Sequence, residues 1–213
     1  MIYNEDCLEG MKKIADGSVD AIICDPPFGT TDCVFDERLP IEPLWEQFLR
    51  VTKINAAIVL FSQMPFGAEL IMSNRKMFRY EWVWSKSLGV GFLNAKKMPL
   101  RCHENILVFY RKKQRPTRLE SDGRRYPRDV LLFAPIRDVH PQQKPVELLE
   151  YLIRTYTNEG EVVLDATMGS GSTGVAAINT GREFIGFETD KNFYDIAERR
   201  IAAAIVQREQ SLF

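Results

Sequence analysis

The stretch VVLDATMGSGSTGVAA, residues 162–177, combines a short apolar run, a glycine-rich segment and the start of a helical pattern. Its glycines, Gly169, Gly171 and Gly174, have the spacing of a G-x-G-x-x-G loop, which lets the backbone approach a nucleotide-like ligand at the end of a strand. An acidic residue, Glu188, follows the next apolar run, where a carboxylate accepts hydrogen bonds from ribose hydroxyls. Tight strand-to-helix turns also use glycine for steric reasons, so the loop alone leaves both interpretations open.

The position of this loop in the chain narrows the choice of ligand. Only 25 residues follow Glu188, whereas a dinucleotide-binding domain needs several further strands after its glycine loop. The other strands must therefore come from upstream, and the cofactor half of the sheet is encoded last. Asp165 adds a carboxylate at the first strand tip, which suits a cationic group such as the amino group of a methionine moiety. We therefore predict S-adenosylmethionine as the cofactor, bound around Asp165, Gly169, Gly171 and Glu188.

Apolar runs and helical periods alternate along the rest of the chain. Runs typical of buried strands occupy residues 19–24, 56–61, 78–84, 105–110, 162–165 and 184–187. Helical periodicity lies within 44–49, 146–153 and 196–205, and Pro65 and Pro145 suit first helical turns. The alternation predicts an α/β fold with a mostly parallel sheet and helices on both faces. We expect one domain over residues 1–213, since 45% of the 213 residues are hydrophobic and no linker divides them.

The charge is unevenly distributed, although the net charge is only -1. Residues 75–128 contain 15 Lys and Arg against 4 Asp and Glu, which leaves 13 basic and 25 acidic residues elsewhere. A basic face of this kind displaces counterions from phosphates and predicts a nucleic-acid partner, although a solvated arginine-rich loop has the same composition. Residues 111–128 have no clear periodicity and contain Pro116, Gly123 and Pro127, which predicts a long loop of the kind that is usually either functional or disordered.

Several other classes of protein are disfavoured. The N-terminus has no basic flank followed by an apolar run, and no apolar stretch is long enough to cross a bilayer. We therefore expect a cytoplasmic protein with no membrane partner. The four cysteines form no Cys-x-x-Cys pair and have no histidine at ligand spacing, so we expect reduced thiols and no metal site.

The segment DPPFG, residues 25–29, directly follows the apolar run 19–24. Asp25 would sit at a strand tip, where open α/β sheets bind ligands, while Pro26 and Pro27 fix the direction of the intervening carbonyls. Hydrogen bonds from an exocyclic amine of adenine or cytosine to Asp25 and to the Pro26 carbonyl would stabilise the charge that grows on nitrogen during methyl transfer. Phe28 would stack on a base that has left the duplex. A strand stopped by a Pro-Pro turn with a capping Asp is the structural alternative.

With these motifs in place, the chain resembles the amino-methyltransferases of DNA, in the permuted β arrangement where the catalytic motif precedes the cofactor motif. The segments that carry the resemblance are NEDCL at 4–8, DPPF at 25–28, HPQQKP at 140–145 and DATMGSG at 165–171. The resemblance implies a circularly permuted, Rossmann-like methyltransferase fold, double-stranded DNA as substrate and a possible homodimer. It also implies that Asp6 contacts the cofactor adenine beside Cys7, that Lys144 helps to hold the methionine end, and that Thr167 belongs to the cofactor loop.

The chain departs from the family pattern at three places. Ala166 and Thr167 replace the usual Pro-Phe, which predicts the loss of a packing contact near the cofactor, and Phe28 replaces the commoner Tyr but keeps a stacking face. The basic insertion expected to read DNA sequence, about residues 111–137, is short. Within the family, Asp25 rather than Ser favours N6 of adenine as the target. N4 of cytosine is the alternative target. A further alternative is a protein that binds DNA or the cofactor but does not catalyse methyl transfer.

The prediction for the catalytic site is therefore the turn of Asp25, Pro26, Pro27 and Phe28. The predicted DNA contacts share a positive charge and a place in the basic middle of the chain: Lys96, Lys97, Arg111, Lys112, Lys113, Arg115, Arg118, Arg124, Arg125 and Arg128.

Overall fold

A computed structural model describes residues 1–29, 38–111, 127–135 and 143–211. The strands are β1 Ile2–Tyr3, β2 Val19–Cys24, β3 Thr52–Ser62, β4 Phe78–Val90, β5 Arg101–Tyr110, β6 Val130–Leu132, β7 Val162–Asp165 and β8 Glu183–Phe187. The helices are α1 Cys7–Met11, α2 Ile41–Val51, α3 Phe66–Ser73, α4 Val146–Tyr156, α5 Ser172–Asn179 and α6 Lys191–Ser211. All six predicted strands are present, whereas β1 and β6 were not predicted because two or three residues are too short to show a period.

The described strands form one sheet in the order β1-β8-β7-β2-β3-β5-β4-β6. The pairs from β1 to β3 are all parallel, and β5 runs antiparallel to both of its neighbours, β3 and β4. The short strand β6 pairs in parallel with β4. The prediction of a mostly parallel sheet is confirmed. Because β7 and β8 lie between β1 and β2, the last strands of the chain occupy the inside of the sheet beside the first ones.

Alternate residues of the central strands point to two separate hydrophobic layers, as a pleated strand requires. In β2, Ile22 and Cys24 pack with α1, α2 and α3, whereas Ile23 packs with α4, α5 and α6. These three side chains are almost completely buried. A strand buried on both faces carries a continuous apolar run, and full burial of each isoleucine contributes roughly 1.5 to 3 kcal/mol. Helices therefore cover both faces of the sheet, as predicted.

The helices begin and end close to their predicted positions. Pro65 and Pro145 stand immediately before α3 and α4, one residue ahead of the first helical turn in which they were predicted. In α6, Ala197 and Ile201 are buried against the sheet, but the predicted Ile205 is 41% exposed and Ala204 is buried in its place. None of the helices in the described ranges combines the length and apolarity needed to cross a membrane.

The carboxyl ends of the parallel strands meet at one edge of the sheet, here called the carboxyl edge. The register pairs Asn105 near the start of β5 with Ser62 at the end of β3, so the preceding part of β5 extends beyond this edge. The antiparallel strand β4 accompanies it, with Val90 opposite Arg101. The β4–β5 hairpin, residues 86–101, therefore projects from the same edge at which β2, β7 and β8 end.

Candidate active site

Three carboxylates lie at the tips of adjacent parallel strands. Asp25 directly follows β2, Asp165 is the last residue of β7, and Glu188 directly follows β8. Since β7 lies between β2 and β8, and neighbouring strands are about 4.8 Å apart, Asp25 and Glu188 flank Asp165 on the carboxyl edge. The structure thus brings together the predicted catalytic carboxylate and the two predicted cofactor carboxylates.

Asp165 is buried and held by the start of the glycine loop. Its Oδ1 accepts the Thr167 N–H at 3.1 Å, and its Oδ2 accepts the Thr173 hydroxyl at 2.6 Å. The net pKa of Asp165 is raised to about 6. Burial raises it most, the two hydrogen bonds lower it in part, and the charge of Asp25 also raises it. A buried carboxylate next to a second carboxylate favours a cationic ligand, because the ligand charge would relieve both. The site therefore suits the amino group of a methionine moiety.

The glycine loop connects Asp165 to Glu188. Gly169 has a φ of +51°, and a Cβ there would point into open space within the described part of the chain. Its N–H donates to Glu188 Oε2 at 3.0 Å, while Glu188 Oε1 accepts the Asp190 N–H at 2.8 Å. Burial raises the pKa of Glu188 despite these bonds. The carboxylate is fixed in place and keeps lone pairs for a ligand, as a ribose-binding role requires.

Gly171 is required for a different reason from Gly169. It has a φ of +78°, and a Cβ there would lie 2.7 Å from the Cβ of Ala197 in α6. The residue therefore allows α6 to pack closely on the loop. Its predicted contact with the cofactor stays a prediction.

The N-terminal segment docks beside Glu188. Asn4 Nδ2 donates to the Glu188 carbonyl at 2.8 Å and to the Thr189 carbonyl at 3.1 Å. Asp6 caps α1, and its Oδ1 accepts the N–H groups of Leu8 at 2.9 Å and Glu9 at 3.1 Å. The structure thus places Asp6 near the predicted ribose-binding residue, although 182 residues separate them in the chain. Asn4 itself was not identified from the sequence.

Cys7 follows this cap and lies under the site. Its side chain is buried in the layer formed with α1, α2 and α3. Burial, followed by the charge of Asp6, raises the pKa of Cys7 to about 12, so the thiol is neutral. Among the described residues Cys7, Cys24 and Cys102 form no disulfide, and Cys33 lies outside these residues. Contact between Cys7 and the cofactor stays a prediction.

Asp25 belongs to a chain of four alternating charges that the sequence did not reveal. The Lys144 ammonium forms an ion pair with Asp25 Oδ2 and lies 3.3 Å from Glu104 Oε2. The other oxygen of Glu104 pairs with Lys86, at the base of the β4–β5 hairpin. Lys144 also lies 5.1 Å from the centroid of the Phe61 ring. Lys144, predicted at the methionine end of the cofactor, is thus placed against the predicted catalytic carboxylate.

The charge chain determines how its members ionise. Burial raises the pKa of Asp25, Lys144 lowers it in part, and Glu104 raises it again. For Glu104, burial alone would raise the pKa, but Lys144 and Lys86 outweigh burial and hold the pKa below its usual value. For Lys144, burial would lower the pKa, but Asp25 and Glu104 outweigh it and raise the pKa. Lys144 therefore stays protonated beside Asp25. A single acidic residue at the start of a buried strand, Glu104, was the only sequence signal for this network.

The predicted catalytic turn, residues 25–28, contains hydrogen-bond acceptors. Asp25 Oδ1 is buried and has no hydrogen-bond partner among the described residues, although its side chain is 30% exposed overall. Pro26 and Pro27 carry no N–H, so neither residue brings a competing backbone donor to the turn. The Phe28 ring lies 5.6 Å from that of Phe66 and is partly buried. The unpaired Asp25 Oδ1 would therefore be satisfied by a ligand with an N–H or O–H donor.

Thr167 links the cofactor loop to this turn. Its hydroxyl donates to the Asp25 carbonyl at 2.9 Å and lies 3.2 Å from Cys24 Sγ. The sequence predicts that Thr167 lacks the packing contact that phenylalanine would make at this position. The structure shows that it makes a polar contact between two motifs instead.

The predicted DNA-binding residues do not all lie near the site. Lys96 and Lys97 are exposed in the β4–β5 hairpin, and Arg128 is exposed just before the edge strand β6. Arg111 lies at the opposite edge, where its guanidinium donates to Thr52 Oγ1 at 2.7 Å and to the Thr52 carbonyl at 3.1 Å. Arg111 thus binds protein backbone, and a role in DNA binding stays a prediction. The other predicted DNA contacts lie outside the described residues: Lys112, Lys113, Arg115, Arg118, Arg124 and Arg125.

Known proteins share both the sequence pattern and the fold. The DNA methylase family model for N6 and N4 enzymes matches residues 19–199. DNA adenine methyltransferase YhdJ of Escherichia coli (strain K12) is 30% identical over 249 residues, which cover 95% of this chain and 83% of YhdJ.

Two solved structures extend the comparison. The M1.HpyAVI-SAM complex superimposes with a TM-score of 0.75 at 28% identity, covering 94% of this chain and 98% of the other. The cytosine-N4-specific PvuII DNA methyltransferase shares the fold, with a TM-score of 0.76 at 16% identity, covering 97% of this chain and 91% of the other. Because the family match spans both the catalytic turn and the cofactor loop in the order seen here, the chain belongs to the N6/N4 DNA methylases, enzymes that use S-adenosylmethionine to methylate DNA.

Proposed function

We propose that this enzyme methylates N6 of adenine in double-stranded DNA, acting on a base that has been turned out of the helix. The observation that carries the proposal is the buried, unpartnered Oδ1 of Asp25 at the tip of β2. An exocyclic amine has two N–H donors, and a carboxylate oxygen with no partner is a matching acceptor. Pro26 follows directly in the chain, and its carbonyl would accept the second N–H of the same amine.

Asp25 would act by stabilising charge that develops on nitrogen. The amine is a poor nucleophile while its lone pair is delocalised into the ring, and it becomes cationic as the methyl group arrives. A fixed acceptor in a buried site favours this charged state most, because it needs no reorganisation during the reaction. Lys144 holds the other oxygen of Asp25 and favours the ionised carboxylate, the form in which Oδ1 accepts a hydrogen bond.

The cofactor supplies an electrophilic methyl group. The strand-tip carboxylates provide the binding positions: Asp165 for the amino group of the methionine moiety and Glu188 for the ribose hydroxyls. Asp6 beside Glu188 would contact the adenine ring. Asp165 and Asp25 lie at adjacent strand tips, which would bring the methyl donor next to the target amine.

The base must leave the duplex, because Asp25 lies at the edge of a sheet and not on a protruding surface. Phe28 would hold the extrahelical base by stacking, which is worth roughly 1 to 3 kcal/mol. The β4–β5 hairpin projects from the same edge and carries Lys96 and Lys97, so it would contact DNA phosphates next to the site. Aspartate at the head of the catalytic turn, and the 30% identity to an adenine methyltransferase, support adenine over cytosine.

The test is the chemical identity of the product. Purified protein is incubated with duplex DNA and S-adenosylmethionine, and the digested DNA is examined by mass spectrometry for N6-methyladenine. Asp25→Ala should lower kcat by about a hundredfold or more while cofactor binding persists, since an acceptor used mainly in the transition state is removed. Asp16→Ala is the control, because Asp16 is an exposed aspartate at the opposite edge of the sheet.

The outcomes separate the alternatives. N4-methylcytosine as product would assign the enzyme to the cytosine branch with the same use of Asp25. DNA and cofactor binding without any methylated base would identify a protein that has lost turnover. Full activity of Asp25→Ala would remove Asp25 from the mechanism for either base.

A further inference from the structure

Thr167 touches both halves of the active site, although it belongs to the cofactor loop. Its hydroxyl donates to the carbonyl of Asp25, 142 positions earlier in the chain, at 2.9 Å. Its own N–H donates to Asp165 Oδ1 at 3.1 Å. Thr167 therefore joins the cofactor loop to residue 25 of the predicted catalytic turn.

The catalytic turn needs an external donor. Pro26 and Pro27 have no N–H, so the peptide between Asp25 and Pro26 has only its carbonyl oxygen with which to be fixed. Thr167 binds this oxygen, and Arg38 Nε donates to the Phe28 carbonyl at 2.8 Å on the far side of the turn. The orientation of the Asp25–Pro26 peptide determines where the next carbonyl, that of Pro26, points.

The direction of the Thr167 bond is fixed by its acceptor, because a carbonyl oxygen has no proton to donate. Burial keeps the pKa of the Cys24 thiol well above its usual value, so this thiol is protonated and can donate to Thr167 Oγ1 at 3.2 Å. The hydroxyl proton of Thr167 is then directed to the Asp25 carbonyl. On the other side, Asp165 Oδ2 accepts the Thr173 hydroxyl at 2.6 Å. Hydrogen bonds therefore run without interruption from the start of α5, through Asp165 and Thr167, to the catalytic turn.

We propose that Thr167 is a positioning residue that couples occupation of the cofactor loop to the orientation of the Asp25–Pro26 peptide. A cationic ligand at Asp165 fixes that carboxylate, and Asp165 in turn fixes the Thr167 backbone and its hydroxyl. The turn then presents Asp25 Oδ1 and the Pro26 carbonyl in the geometry that the target amine needs. The inference rests on the proposed function, because it takes Asp25 as an acceptor for the target amine. It concerns a different contact, that between the Thr167 hydroxyl and the Asp25 carbonyl.

The test compares Thr167→Val with Thr167→Ser. Valine keeps the volume and the branched shape but removes the donor, whereas serine keeps the donor. Thr167→Val should lower kcat by about tenfold, since misdirected acceptors lose transition-state stabilisation, while the calorimetric Kd for S-adenosylmethionine changes less than about twofold. Thr167→Ser should restore kcat to within about threefold of the parent enzyme.

Hydrogen exchange supplies a readout that does not depend on turnover. In the parent enzyme, S-adenosylmethionine should protect amides of both the cofactor loop, 165–171, and the segment 22–29. In Thr167→Val, protection of the loop should remain and protection of 22–29 should be lost. Equal protection of 22–29 in both proteins, or an unchanged kcat in Thr167→Val, would overturn the coupling. If the parent enzyme methylates no amine, the proposed function fails while the exchange result still decides the role of Thr167.

Discussion

At the scale of single residues, the active site contains buried carboxylates that lower the stability of the ligand-free protein. Asp25 and Asp165 are adjacent carboxylates, and burial raises the pKa of each. Lys144 compensates Asp25, but among the described residues Asp165 has hydrogen bonds and no ion pair. An uncompensated buried negative charge lowers the stability of the folded protein until a cationic ligand binds. Such destabilising groups are common in sites that bind ligands.

Asp165→Asn tests this cost through the pH dependence of stability. Burial raises the pKa of Asp165 from its ordinary value of 3.8 to about 6 in the folded protein, so between these values the folded state binds more protons than the unfolded state. The contribution of Asp165 to stability therefore falls as pH rises from about 4 to 6 and stays low above that. Without cofactor, Asp165→Asn should raise the free energy of unfolding at pH 7.5, by at most about 3 kcal/mol, and have a smaller effect at pH 4.

Urea unfolding at the two pH values measures the effect. Asp16→Asn is the control, because Asp16 is exposed and its substitution should shift the curves little. Asp165→Asn should also weaken binding of S-adenosylmethionine, which opposes the gain in stability. Equal destabilisation of Asp165→Asn at both pH values would mean that the residue acts mainly as a hydrogen-bond acceptor.

At the scale of elements, the β4–β5 hairpin is the largest feature that the sequence did not predict. The apolar run that predicts β4 stops at residue 84, but the strand continues to Val90. Glycine and serine interrupt the alternation in this part of the strand, so a period could not be recognised. The tip exposes Phe92 at 82%, together with Leu88 and Met98. Exposed apolar side chains next to lysines are typical of a binding surface, and the base of the hairpin is connected to Asp25 through Lys86, Glu104 and Lys144.

The hairpin's role in DNA binding has a quantitative consequence. If Lys96 and Lys97 each neutralise one phosphate, the double substitution to glutamine should flatten the slope of log K against log salt by about 1.8, at about 0.9 for each contact. Lys76→Gln is the control, because Lys76 is exposed before the start of β4 at the opposite edge. Fluorescence anisotropy with a labelled duplex at several salt concentrations gives the slopes. An unchanged slope for the double variant would place the DNA elsewhere.

At the scale of the whole molecule, the strands and the motif order could be predicted because each depends on local sequence. Period and turn residues identify β2, β7 and the glycine loop without any knowledge of their neighbours. The charge chain could not be predicted, since Asp25 and Lys144 are 119 positions apart and meet only through the topology of the sheet. The same is true of Arg111, which composition grouped with the basic loop but which the fold places on the α2 end of the sheet.

The fold also packs the N-terminal segment against residues 188–189, at the predicted cofactor site. We therefore predict that cofactor binding stabilises both segments. The side chain of Asn4 holds the N-terminal segment on the backbone of Glu188 and Thr189 through two hydrogen bonds. A ligand that binds only the folded state at 100 times its Kd raises the free energy of unfolding by about 2.7 kcal/mol. Asn4→Ala removes both bonds, and a tenfold loss of affinity would reduce this increment to about 1.4 kcal/mol at the same cofactor concentration.

Urea unfolding with and without S-adenosylmethionine measures the increment. Asn179→Ala is the matched control, because Asn179 also makes a side-chain hydrogen bond, to Glu150 at 2.8 Å, but lies at the end of α5 away from the strand tips. Asn179→Ala should keep the full increment. If Asn4→Ala keeps it as well, the two Asn4 hydrogen bonds contribute nothing to cofactor binding. If only Asn4→Ala loses it, the cofactor site is completed by the first residues of the chain, although its glycine loop is encoded near the last.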